Sequence, residues 1–205
     1  MKASSFPRSA VGFHVVALVF FSGCAAALVQ ESQVLGGRRG MVGLGVTVAA
    51  VGLGLLSLHA ALVLSRARAL TVLASHARVG TYVQLLMAMG VLGLLGLHLL
   101  YTEGRPALGT FCLGLAAWLG AMGLRLVPAL FLAGDGFFDS LGRRTRFSEL
   151  EWFSLGRQEG EVPRVLLQVG RGLALHLEAR LAEAEVGAVR GKLLQAGLAS
   201  RPGRP

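Results

Sequence analysis

Acidic residues are nearly missing from the first part of this chain. Before Arg125 there are two, Glu31 and Glu103, while the other nine lie between Asp135 and Glu185. Charge is scarce altogether: 15% of the 205 residues are charged, against about 25% in an ordinary soluble domain. Mean hydropathy is +0.63, an apolar excess that needs lipid around it. Lysine is down to Lys2 and Lys192, while Arg, Ala, Gly and Leu abound, a bias that fits a high-GC bacterial genome. Cysteine is limited to Cys24 and Cys112, both in apolar segments. With no CxxC and no Cys/His spacing for zinc, neither a disulfide framework nor a metal site is called for. Aromatic residues, 7% of the chain, are not interleaved with basic clusters. The net charge of +9 therefore does not describe a nucleic-acid surface, and nucleic acid is set aside as a partner. The arginines flank apolar runs instead, where they orient helices and meet anionic headgroups.

What is present is long apolar runs. Residues 41–64 carry no charge, and about 24 residues of helix reach about 36 Å, enough to cross a bilayer with some tilt. Three similar runs, 10–29, 79–101 and 107–124, give four expected spans within a membrane domain of residues 1–125. The first has a rival reading as a secretion signal, because Lys2 and Arg8 precede the apolar run and the small residues Ala25–Ala27 follow it. Phe21-Ser22-Gly23-Cys24 also resembles a lipoprotein cleavage box, so cleavage or lipidation at Cys24 stands beside an uncut span. Gln30–Gly40 reads as a polar, glycine-rich loop. Gly43, Gly45, Gly52 and Gly54, and then Gly90, Gly93 and Gly96, offer smooth helix faces on which backbones approach closely, within one chain or between copies in a homo-oligomer. A nucleotide fingerprint at Gly52-Leu53-Gly54 lacks the strand that must precede it. Tyr82 and Tyr101 stand near the ends of the third run, at headgroup level.

Ser65–Arg78 is a basic loop with Arg66, Arg68 and Arg78 and no acid. Counting basic residues in the short loops puts the N-terminus, this loop and the C-terminal region on one side, and Arg38, Arg39 and Arg105 on the other. The positive side is the cytosol. The expected location is a bacterial inner membrane, multi-pass, with the C-terminus cytosolic.

From residue 126 the pattern changes to short apolar runs split by turn residues. Ala129–Ala133 and Phe137–Leu141 flank Gly134-Asp135-Gly136, where glycine permits the positive φ of a tight hairpin. Further strands are expected at 144–147, 150–155 and 165–169. Gly170-Arg171-Gly172 then turns the chain into 173–177, where Leu173, Leu175 and Leu177 alternate with Ala174 and His176. Strand then helix is favoured over one long helix for 173–198, with Val186, Val189, Leu193 and Leu194 on one helical face. Residues 199–205 read as a disordered tail.

The order of an Asp-Gly turn, a strand, a Gly-Arg turn, Phe147-Ser148-Glu149-Leu150-Glu151-Trp152, further strands and a helix resembles small pleckstrin-homology-like (PH-like) domains appended to bacterial membrane spans. Gly136, Phe147, Leu150 and Trp152 carry the likeness, which covers roughly residues 129–198. It implies a small α+β domain over 126–198, an antiparallel sheet with a C-terminal helix, acting as a membrane-proximal recognition or assembly module. The expected strands are fewer than a full barrel of that kind, which leaves a half-barrel and a dimer-completed sheet both open.

Few residues offer chemistry. His14 and His59 fall at similar depth near the cytosolic ends of their helices, and facing imidazoles can ligate haem iron or relay protons. The plainer reading is histidines reaching interfacial water, and no cofactor is assigned. The apolar runs hold no carboxylate of the kind an ion-coupled transporter uses. Asp135, Asp139, Glu149 and Glu151 read as turn and surface acids with no nucleophile beside them. Trp152 and Phe153 should face opposite sides of one strand. The expectation is a non-enzymatic, membrane-anchored interaction or regulatory module that binds a protein partner through 129–198. The alternatives are a small transporter or channel-like subunit and, behind it, a haem-binding redox subunit.

Overall fold

The computed structural model describes residues 8–67, 71–73, 79–158 and 164–202. The chain divides into two compact units, one of helices and one of strands.

The helical unit holds α1 (Arg8–Leu35), most of α2 (Gly37–Arg66), α3 (Val79–Tyr101) and α4 (Pro106–Gly123). All four are long and apolar enough to cross a membrane. Bulky apolar side chains such as Val48, Leu55, Met87, Val91 and Leu94 stand outward, an arrangement that suits a hydrocarbon solvent and would be costly in water.

The expected polar loop at 30–40 is largely helix. Only Gly36 separates α1 from α2, and the reversal uses positive φ at Gly36 and Gly37, +60° and +50°. Few other residues adopt that region cheaply. The two helices then run antiparallel. A Cβ on Gly43 would overlap Ser32, and one on Gly54 would lie 3.7–3.9 Å from Ser22, Leu18 and Phe21. In the α3/α4 hairpin, Gly96 and Gly109 meet backbone to backbone, so that a Cβ on Gly109 would sit 2.8 Å from the Gly96 carbonyl oxygen. The glycine faces are thus divided in use. Gly43, Gly54 and Gly96 serve packing inside the chain, whereas a Cβ added at Gly45, Gly52, Gly90 or Gly93 would meet nothing within 4 Å among the described residues. Phe21, buried completely, packs edge-on against Phe111 and Trp118 and joins α1 to α4.

α4 ends beside Arg125, as its charge suggests, through a specific closing turn. Arg125 takes φ +60°, and Leu126 N–H reaches back to Ala121 O at 3.0 Å. That is a left-handed helix cap in which arginine occupies glycine's usual place.

The second unit contains two four-stranded sheets and a helix. The first sheet runs β1 (Thr71–Leu73), β2 (Leu130–Leu132), β3 (Gly136–Asp139), β4 (Arg144–Arg146), antiparallel throughout. Its first strand comes from the basic loop between α2 and α3, which the sequence pattern marked as a loop. Leu73 is only 2% exposed and belongs to the same core as β2. A 3-10 turn at Phe147–Glu149 makes the corner between β4 and the strand that follows.

The second sheet has the order β7-β6-β5-β8. It consists of β5 (Trp152–Gln158), β6 (Arg164–Arg171), β7 (Ala174–Ala182) and β8 (Ala199–Pro202). Residues 199–202, expected to be disordered, form β8 and lie parallel to β5, Trp152 opposite Ala199 and Ser154 opposite Arg201. α5 (Glu183–Gln195) follows β7, so strand-then-helix is the observed order for 173–198.

One core serves both sheets and α5. Leu73, Leu130, Leu132, Phe137, Phe147 and Leu150 meet Phe153, Leu167, Val169, Ala179 and Leu181, with Val189, Leu193 and Leu198 closing it. Leu194, expected on the buried face of α5, is half exposed. Two further expectations change. Gly134 and Gly136 do not take positive φ; Gly136 is needed because a Cβ there would overlap the Thr145 carbonyl of β4. The alternation of Leu173, Leu175 and Leu177 is broken by a β-bulge. Val169 faces Leu177 and Gly170 faces Leu175, which leaves His176 as an extra residue. Leu177 therefore packs on the core while Leu175 is half exposed.

Candidate functional site

Among the described residues the helical unit carries a buried ion pair that the sequence pattern did not anticipate. Because α1 continues to Leu35, Glu31 lies inside a helix rather than in a loop. Its carboxylate accepts the Arg105 Nε–H at 3.1 Å and the Ala107 N–H at 2.8 Å. Both side chains are about nine-tenths enclosed, at 10% and 12% exposure. Arg105 is the residue before the first turn of α4, so the carboxylate occupies the positive end of that helix and takes one of its unsatisfied donors. Arg105 Nη2 is buried with no hydrogen-bond partner among the described residues. Ser32, next in sequence to Glu31, donates its hydroxyl to Leu28 O at 2.6 Å. The pair joins the α1/α2 hairpin to the α3/α4 hairpin.

Beside it, a groove of about 760 Å³ runs between α1 and α4. Val19, Phe20, Ala27, Val34 and Ala107 form apolar walls, and Gln30 and Glu31 supply a polar end. Cys24 lines the same groove and is buried in an unbroken helix.

The two candidate histidines differ in burial. His14 is fully buried in α1, its ring edge-on to Phe13 with centroids 5.4 Å apart. His59 is exposed on α2. No group of three or more metal-ligating side chains occurs among the described residues.

In the strand unit each of the four acids at 135–151 has a local task. Asp135 pairs with Arg144. Asp139 accepts the Leu141 and Arg143 N–H groups at 2.9 and 2.8 Å and shapes the turn between β3 and β4. Glu149 accepts the Arg146 N–H at 3.4 Å. Glu151 binds the β6–β7 turn through Arg171 Nε at 3.0 Å and Gly172 N–H at 2.9 Å. Those bonds favour the ionised form and hold the Glu151 carboxyl below its ordinary range, the Gly172 N–H contributing most and Arg171 next.

Trp152 and Phe153 do face opposite sides. Phe153 is fully buried, whereas Trp152 lies on the outer face over Gly170. Its indole N–H donates to Gly172 O at 2.9 Å, and the Arg201 guanidinium stacks 4.8 Å above its ring while donating to the same carbonyl. Arg201 became visible as a contributor only once β8 had paired with β5. A polar cavity of about 330 Å³ lies among Asp139, Arg143, Thr145, Glu149 and His176.

Fold and site together define a class: four apolar helices of membrane-spanning length joined to a two-sheet α+β unit with its own core. No family model, curated protein or solved structure matches the chain.

Proposed function

We propose that the protein is a non-enzymatic interaction or regulatory module of the bacterial inner membrane, with its strand unit on the cytosolic face. The observation that carries this reading is the pairing of β1 with β2. β1 precedes α3 and β2 follows α4. Two crossings between them return the chain to the same side of the bilayer, where the strands can meet. The strand unit thus draws one strand from the segment between α2 and α3 and the others from the chain after α4. The side is assigned by Arg66, Arg68 and Arg78 in the segment that contains β1. The PH-like reading draws support from four antiparallel strands in one sheet, three in the next and a helix after them. β1 adds the strand that the sequence pattern had left out of that count.

The test is retention of partner proteins by the full-length chain solubilised from its native membrane, compared with Phe153→Asp, which breaks the core of the strand unit. Loss of specific partners in the variant supports the reading; an identical set of co-purifying proteins overturns it. Reagent accessibility of a cysteine placed at exposed Ser200, from each side of sealed vesicles, checks the orientation.

A small transporter or channel-like subunit is the second reading, and the Glu31–Arg105 pair beside the groove favours it, because ionisable groups within membrane helices mark pathways by default. Solute flux in proteoliposomes that is abolished by Glu31→Gln would decide for it.

A further inference from the structure

An exposed strand edge invites pairing, and natural sheets blunt their edges by shortness, charge or proline. Among the described residues this unit has four edges. β1 and β4 are three residues long, and β4 reads Arg-Thr-Arg. β8 has four residues and ends in Pro202. β7 differs: it runs nine residues, Ala174–Ala182, with neither proline nor lysine, and pairs only on its β6 side among the described residues.

The sequence of that edge is complementary to itself. Beyond the bulge at His176, Leu177, Ala179 and Leu181 face the core, while Glu178 and Arg180 stand on the outer face. Let a second copy of β7 lie antiparallel with Ala179 at the two-fold axis. Glu178 of each copy then falls opposite Arg180 of the other, and Leu177 opposite Leu181. A slip that moves the axis to Glu178 or to Arg180 sets like charges directly opposite each other, which is unfavourable. A slip by an odd number of residues sets core-facing positions against outward ones. Of the nearby registers, one satisfies charge and face together.

We infer that β7 is a homodimerisation strand: two copies of the chain pair edge to edge through residues 176–182, with Ala179 at the axis and Glu178–Arg180 pairs on either side. The result is one continuous eight-stranded sheet across the dimer. An isologous contact of this kind closes on itself and buries the exposed edge in both copies, so it ends association at two. The pairing goes beyond the function proposed above and does not rest on it.

The experiment measures dimerisation of full-length protein in lipid vesicles, by single-molecule photobleaching or FRET as protein density is varied. Because the helices can also associate, variants at the strand isolate its contribution. Glu178→Arg and Arg180→Glu each convert two attractive pairs into two like-charge pairs, and each should weaken the dimer by roughly tenfold or more. The double variant restores opposite charges at both pairs and should return affinity to near the wild-type value. The two single variants mixed together should pair with each other. A monomeric wild type, single variants that dimerise undiminished, or a double variant that fails to recover would each overturn the assignment. Retention of other proteins is a separate readout, so loss of the dimer and loss of the interaction role are distinguishable.

Discussion

Removing Glu31 should loosen the helical unit more than any single apolar truncation on its surface. Glu31→Ala deletes the 3.1 Å contact with Arg105 Nε and the 2.8 Å bond from Ala107 N–H. It also strands a guanidinium whose side chain is 10% exposed and whose Nη2 already has no hydrogen-bond partner among the described residues. Breaking a buried pair from one side costs about 3–5 kcal/mol, mostly because the remaining charge has no compensation. Arg105→Ala should cost less, since the Glu31 carboxylate keeps the Ala107 N–H. Glu31→Ala with Arg105→Leu should recover much of the loss, because neither charge is then left buried alone. The coupling between the sites should therefore exceed about 1 kcal/mol. The assay is reversible unfolding in mixed micelles followed by Trp118 fluorescence, whose ring packs on Phe21 in the same core. Single variants within about 1 kcal/mol of wild type, or a double variant equal to the sum of its parts, would refute the reasoning.

Leu73→Ala should destabilise the strand unit by about 2–4 kcal/mol, since it opens a cavity in a core contributed by both sheets; thermal unfolding of the full chain read by near-UV circular dichroism checks it. For the same reason a fragment beginning at residue 128 lacks β1 and should give a poorly dispersed proton–nitrogen NMR spectrum. A sharp, β-rich spectrum from that fragment would show β1 to be dispensable. Gly136→Ala should disrupt β3–β4 pairing through overlap with the Thr145 carbonyl, detectable as faster amide exchange at Phe137, which pairs with Thr145. The Glu151 carboxyl has a lowered folded-state pKa. Its contribution is thus present above its unfolded value and is lost as pH falls through the folded one. Glu151→Gln should flatten that acid limb in a pH titration of stability, and an unchanged limb would count against the turn clasp.

The readable parts of the fold were those set by local pattern. Four uncharged runs of membrane length became four helices, and the expected turn at Gly170–Gly172 appears, with Gly172 at φ +55°. Val189 and Leu193 face the core from one side of α5. Less legible was anything decided by a distant partner. Glu31 looked like a loop residue because Gln30–Gly40 is polar, yet two adjacent glycines suffice to reverse the chain, so helix continues to Leu35. Its partner Arg105 lies 74 residues further on, and no local signal joins them. For the candidate site residues His14 and His59, helical rise gives a position along each helix, but it does not set which way a ring faces. One ring is buried and the other exposed for that reason.

From sequence alone, then, come the number of apolar helices and the switch to short strands after residue 126, because solvent preference and turn chemistry act over a few residues. Tertiary structure alone decides that Thr71–Leu73 and Ala199–Pro202 become strands. Three or four residues carry too little propensity to choose a conformation, and a neighbouring strand chooses for them by taking their backbone hydrogen bonds.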